Sequence, residues 1–140
     1  MNVPRQITDA DYQTLLELRT GIRRFLHWSE EQALAAGLTA MQHQLLLAIR
    51  GHADRRGPTI GEVADALLVR HHSAVGLADR AEAADLVRRR VDANDHRVVR
   101  LTLTAQGRRR LDRLSAVHLE ELDRLRPQLR ALWAGLPEGE

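Results

Sequence analysis

Between Pro58 and Thr104 the hydrophobic period changes twice, and no other feature limits the fold as tightly. "PTIGEVADALLV" places Ile60, Val63, Ala64 and Leu67 at helical spacing. Thr59 and Glu62 form a capping box that starts this short helix. A turn at Val69–His71 leads into "HHSAVGLADRAEAAD", where Ala74, Leu77, Ala78 and Ala81 make a second, narrower stripe of mostly small residues. Two short helices joined by a three-residue turn are a helix-turn-helix candidate. The period then falls to two. In "RVVRLTLT", Val99, Leu101 and Leu103 alternate with Val98, Arg100 and Thr102. "LVRRRVD" and "RVVRLTLT" flank "ANDH", and Asn94–Asp95 is favourable turn chemistry. The spacing predicts a two-stranded hairpin, which is marginal in water and must pack on neighbouring helices.

Longer helices flank this unit. Tyr12, Leu15, Arg19, Ile22, Leu26, Ser29, Ala33 and Ala36 follow steps of three and four after Thr8, so a helix is expected from about 9 to 36. Asp9 and Asp11 suit its dipole and Gly37 ends it. Thr39 with Gln42 caps another helix at about 40, with Leu45, Leu46 and Ile49 on its buried face. Thr104 caps a long last helix striped by Leu111, Leu114, His118, Leu122 and Leu125. Pro127 is expected to kink or break it, leaving "QLRALWAGL" as a separate helical piece. The 140 residues suffice for one domain, residues 1–140. No run approaches a membrane span, and the N-terminus lacks the apolar segment of a signal peptide, so a cytoplasmic protein is expected.

The net charge of +2 hides a strong asymmetry. Residues 86–113 hold nine arginines and three acids, a net +6, while every other block is slightly negative. A concentrated basic patch on a nearly neutral chain suits a polyanion partner; a solvated charged face is the plainer reading. All 21 basic residues are arginine, whose planar fork matches phosphates and guanine edges. There is no cysteine, which excludes disulfides, thiolate zinc sites and thiol redox sensing.

The order helix, helix, short helix, turn, helix, hairpin, long helix is that of a winged helix, a mainly α (α+β) fold. Three segments, "GLTAMQHQLLLAI" (37–49), "PTIGEVADALLVRHHSAVGLADRAEAADLVRR" (58–89) and "DANDHRVVRLTLTAQG" (92–107), resemble the MarR (multiple antibiotic resistance regulator) family of bacterial transcription regulators. The resemblance implies a homodimer. Its base would be built from residues 1–38 and 105–140, the N-terminal helix and the two C-terminal helices. Residues 39–104 would form a winged helix-turn-helix lobe that reads half of a pseudo-palindromic duplex site. The apolar stripes of the terminal helices agree, because one chain of this length can hardly cover both.

On that resemblance the helix at 71–84 lies in the major groove. Its outward set is His72, Ser73, Gly76, Asp79 and Arg80, with His71, His72 and Ser73 at the N-terminal end, where backbone N–H groups favour phosphates. Arg80 is placed for guanine or phosphate, or else for an internal ion pair with Asp79 or Glu82. His71 and His72 diverge by about 100° on a helix and chelate poorly, so no metal is expected. Asp92, Asp95 and Arg97 resemble the family's D-x-x-D-x-R wing pattern, which implies that Arg97 enters the minor groove with Asp95 as its orienting partner. His96 stands where an arginine is usual. Arg88, Arg89, Arg90 and Arg100 would contact phosphates, although strand alternation keeps them from all facing DNA, so some must be structural.

Three positions depart from the family pattern. Asp85 replaces a glycine expected at positive φ, Gly76 sits mid-helix, and Arg70 stands where a capping residue is common. The family also implies a small anionic or aromatic effector between base and lobe. The candidates for it are Arg19, Arg23, His27, Trp28 and His43, with core packing weighing more for Trp28 and His43.

Other classes fit less well. No G-x-S-x-G, P-loop, dinucleotide fingerprint or H-E-x-x-H is present, so neither an enzyme nor a cofactor is indicated. Aromatics are 3% of the chain and absent from the basic block, which argues against single-stranded nucleic acid. The remaining alternative is a winged-helix protein–protein module without specific DNA readout, and the basic wing argues against it.

Overall fold

The computed structural model describes residues 3–138, so the two residues at each end of the expected 1–140 domain lie outside the described residues. In chain order the elements are α1 (Asp9–Ala35), α2 (Ala40–Arg50), α3 (Ile60–Leu67), α4 (His71–Ala83), β1 (Val87–Val91), β2 (Val99–Leu103) and α5 (Ala105–Ala134). This is the expected winged helix with long flanking helices. Among the described residues no helix is long and apolar enough to cross a membrane.

Threonines start most of the helices. Thr8, Thr39, Thr59 and Thr104 each accept a bond from the backbone N–H three residues on. Asp11, Gln42 and Glu62 return the bond to the threonine N–H, which completes three capping boxes. A threonine cap is worth about 1 kcal/mol because it satisfies an orphan donor of the first turn.

The core lies inside the winged helix. Leu38, Leu45, Leu46, Val63, Leu77, Leu86, Val87, Leu101 and Leu111 are all nearly inaccessible. The terminal helices contribute little to it. On α1 only Ala33 is buried, and on α5 only Gly107, Leu111 and Leu114. Tyr12, Leu15, Leu16, Ile22 and Leu26 on α1 are exposed, as are Leu119, Leu122, Leu129 and Trp133 on α5. The two helices run antiparallel, with Gly21 beside Leu132 and Ser29 beside His118. Their packing on each other leaves these apolar side chains uncovered.

The hairpin pairs in register from Val87↔Leu103 at its base to Val91↔Val99 near its tip. A short segment before α3 lies along β2, where Thr59 bridges Arg100 and the Leu101 N–H bonds the Pro58 carbonyl at 2.8 Å. Gly57 permits this approach. It has φ +95°, and a Cβ there would sit 2.0 Å from the Leu101 carbonyl oxygen.

Three details differ from expectation. The turn between α3 and α4 is Leu68–Arg70, one residue earlier than the pattern suggests. Leu68 closes α3 in the left-handed region at φ 55°, so α4 already begins at His71. The hairpin tip spans 92–98 rather than four residues, because the Asp92 carboxylate accepts the N–H groups of Asn94 and Asp95 and folds the chain into a wider turn. Helix α5 continues through Pro127, so there is one C-terminal helix and no separate last piece. Proline removes a single N–H there, and the carbonyl it orphans belongs to the exposed Asp123, where water can serve it.

Candidate nucleic-acid interface

Helix α4 presents the face read from its sequence. Ala74, Leu77, Ala78 and Ala81 are buried against the lobe. His71, His72, Ser73 and Arg80 are exposed, and Gly76 is partly so. Arg70 is the N-cap and provides no side-chain cap bond, so the first N–H groups of α4 keep their positive field for an outside acceptor. Arg80 does not pair with Asp79 or Glu82, because both acids hold Arg89. A Cβ on Gly76 would lie 3.2 Å from Arg80 Nη1, so the guanidinium lies over that glycine. Gly76→Ala is therefore expected to stabilise the protein by about 1 kcal/mol in urea unfolding, since only the end of a flexible side chain must yield. A loss of stability would show that Arg80 is fixed in place.

Strand alternation sorts the arginines of the hairpin. Arg89 turns inward onto α4. Its N–H bonds Glu82 Oε2 at 3.1 Å, and its guanidinium bonds Glu82 and Asp79. Arg100 is also drawn in, with its side chain 15% exposed. It donates to Asp92 Oδ1 at 2.8 Å and to the Gly57 carbonyl at 2.9 Å. These two are the structural members expected among the wing arginines. Arg88 and Arg90 point to the other side of β1 and are exposed.

The wing tip is built around two acids with different tasks. Asp92 is buried and bonded to Arg100, to Arg56 at 3.4 Å, and to the N–H groups of Asn94 and Asp95. The Arg100 bond, helped by those N–H groups, holds its carboxyl below the usual range. Asp95 lies on the outer side of the turn. It accepts from Arg97 Nε at 3.1 Å, from Nη2 at 3.2 Å and from the Arg97 backbone N–H at 3.0 Å. This fork also lowers the Asp95 pKa. The Arg97 side chain is nonetheless 90% exposed, so Asp95 aims it without covering it.

Residues 36–98 match the model of the MarR family. Over this segment the chain is similar to the MarR family. The fold agrees with solved MarR structures. A MarR family transcriptional regulator from Streptomyces coelicolor, AbsC, superposes with a TM-score of 0.74 at 21% identity, over 89% of this chain and 84% of that one. MepR, a transcription regulator of the Staphylococcus aureus multidrug efflux pump MepA, gives 0.70 at 22% identity, over 79% and 80%. A MepR variant bound to an oligodeoxyribonucleotide gives 0.67 at 19% identity, over 94% and 100%. Among curated proteins the chain has no match.

Asp85 stands where the MarR pattern has glycine, and its φ of 58° is the left-handed conformation expected of that position. The candidate effector residues divide into two groups. Trp28 and His43 meet at the junction of α1, α2 and α5. The His43 ring is 4.8 Å from His118, and Trp28 packs against both His118 (4.9 Å) and Phe25 (5.8 Å). His118 Nδ1 donates to the Leu114 carbonyl at 2.7 Å, and Nε2 shares a hydrogen bond with the Ser29 hydroxyl at 2.6 Å. Burial, and then the neighbouring His118, lower the His43 pKa. Arg19, Arg23 and His27 stay outside this cluster, exposed on α1, with His27 bonded to Glu31 at 2.9 Å. His118 and Ser29 have sequence signals only as polar residues on apolar stripes. Asp54 and Arg56, which brace the wing from the loop before α3, have none.

Proposed function

We propose that the chain is a homodimeric, sequence-specific regulator of transcription that binds duplex DNA in the cytoplasm. Helix α4 would enter the major groove with His71, His72, Ser73, Gly76 and Arg80, the guanidinium of Arg80 lying over Gly76. Arg97 would enter the adjacent minor groove, and Arg88 and Arg90 would meet phosphates.

The observation that carries this reading is the sorting of the arginines. Arg89 is paired with Asp79 and Glu82 on the surface of α4, and Arg100 with the buried Asp92. Arg80, Arg88, Arg90 and Arg97 stay outward, and the acid nearest Arg97 orients it instead of covering it. A plain solvated face needs no such division. The relative MepR, with a variant bound to an oligodeoxyribonucleotide, supports the same reading.

Dimerisation is supported by the uncovered apolar side chains of α1 and α5. An open groove of about 710 Å³ on α5, lined by Leu119, Leu122, Leu129 and Trp133, belongs to that surface. A stable dimer buries roughly 800 Å² per partner, which stripes of this length can supply. Repression relieved by a small effector is the regulatory form we favour. The effector would bind between base and lobe and favour a dimer whose two α4 helices no longer match half-sites one turn apart.

Fluorescence anisotropy with the DNA upstream of its own coding sequence, across a salt series, tests this function. We expect one dimer per two-fold site, and an affinity that falls about 10³-fold or more between roughly 50 and 200 mM salt. Binding no tighter than to random duplex of equal length would sink the reading.

A further inference from the structure

A cleft of about 480 Å³ opens beside β2, within the range of roughly 300–1,000 Å³ typical of small-ligand sites. Its walls are the end of α2, the loop before α3, Leu101–Leu103 of β2 and the first turns of α5, and no residue of α4 or β1 lines it. It sits at the base of the hairpin, because Leu103 pairs with Val87, whereas Arg97 belongs to the opposite end. None of the residues assigned to DNA lines the cleft.

Arg50 from α2, Arg55 from the loop and Arg108 from α5 line this cleft. All three are exposed, and none is paired with a carboxylate among the described residues. Acids inside the cleft do not offset them. Asp54 is committed to Arg56, whose Nη2 lies 2.8 Å away, and it also lies 3.7 Å from Arg100. That ion pair holds its carboxyl far below the ordinary range, so it stays charged and occupied. His52 accepts the Asp54 N–H at Nδ1 and therefore donates from Nε2 to Glu62 at 2.8 Å. Three separate elements thus direct uncompensated guanidinium groups into one polar concavity with a braced floor.

We propose that this cleft binds a small, multiply charged oxyanion, a phosphate ester or a di- or tricarboxylate, held by Arg50, Arg55 and Arg108. Guanidinium forks match both anions in two-point geometry. Apolar effectors are disfavoured because the exposed lining is mostly polar. An anion held by all three arginines ties α2, the loop and α5 together, so it also raises the melting temperature. The proposal stands independently of whether the chain binds DNA.

Calorimetric titration of the full chain with pyrophosphate and with citrate, against acetate at matched ionic strength, tests it. Saturable binding of one anion per chain by at least one of the two is expected, with acetate far weaker. Arg50→Gln, Arg55→Gln and Arg108→Gln should each weaken it tenfold or more. Arg88→Gln combined with Arg90→Gln, on β1, which does not line the cleft, should leave it unchanged. Melting curves without anion check that each variant is folded, which the exposure of these side chains favours. The proposal is overturned by no saturable binding of either anion, by equal loss in the Arg88/Arg90 variant, or by displacement of the anion with duplex DNA.

Discussion

Gly107→Ala is expected to destabilise the protein by about 3 kcal/mol and to lower its melting temperature by roughly 10 °C. Gly107 lies in the first turn of α5, where the helix rests on the end of the α4–β1 connection. A Cβ there would sit 2.1 Å from the Leu86 carbonyl oxygen and 3.0 Å from its carbon. Both are backbone atoms, so no rotamer change relieves the contact. The same carbonyl accepts the Thr104 N–H at 3.0 Å, and the Thr104 hydroxyl bonds the Asp85 carbonyl at 2.7 Å. Moving α5 away breaks both bonds. Overpacking of this kind costs about 1–3 kcal/mol, each lost bond adds about 1, and better helix propensity returns less than about 1. Urea unfolding of Gly107→Ala beside Gly76→Ala makes the comparison direct, because the same substitution should act in opposite senses at the two sites. A Gly107→Ala change within about 0.5 kcal/mol of zero would mean that α5 is not seated firmly on Leu86.

That seat explains why the chain passes from hairpin to helix without a linker. Thr104 ends β2's return, caps α5 and bonds the α4–β1 corner, all within one residue. In the proposed dimer, a displacement of α5 would be delivered to α4 and the wing through these contacts. Within the proposed function, this corner is where an effector's influence on dimer geometry would reach the DNA-reading surface.

The local devices were legible in the sequence because they are local. A threonine followed three residues later by Gln or Glu states a helix start, and Thr39 and Thr59 behave so. The four inward residues of α4 follow from period alone. The roles of the arginines follow only partly. Alternation separates Arg89 from Arg88 and Arg90, but its acids lie on α4, seven and ten residues back, where no spacing rule applies. Asp92 reads as one member of a family pattern, yet its task depends on Arg56, 36 residues away. The His43–His118 contact depends on how α2 meets α5. Pro127 misleads for a different reason. A proline penalty is large when the lost bond is buried, and this turn of α5 is exposed.

Arg97→Ala should leave folding unchanged and weaken DNA binding most at sites flanked by A·T pairs. The folding half follows from exposure: the side chain is 90% accessible and, among the described residues, it bonds only to Asp95, two residues away. The binding half follows from geometry and charge. A narrow A·T minor groove concentrates negative potential and attracts a guanidinium that projects into it. The Asp95 fork fixes the direction in advance, so little side-chain entropy is left to lose on binding. Loss of one such contact costs on the order of tenfold, and a dimer loses two, which together give on the order of a hundredfold at an A·T-flanked two-fold site. At a G·C-flanked site the loss should be several times smaller. Asp95→Asn separates aiming from contact. It should reduce the A·T preference while keeping the salt slope, because Arg97 and its charge remain. Arg88→Gln should do the opposite, lowering the slope by about one for each phosphate contact with the preference intact. Anisotropy titrations of the three variants on matched A·T- and G·C-flanked duplexes distinguish these effects. Equal affinity of Arg97→Ala and the unmodified chain on the A·T-flanked duplex would remove Arg97 from the groove and leave Asp95 with a purely structural task.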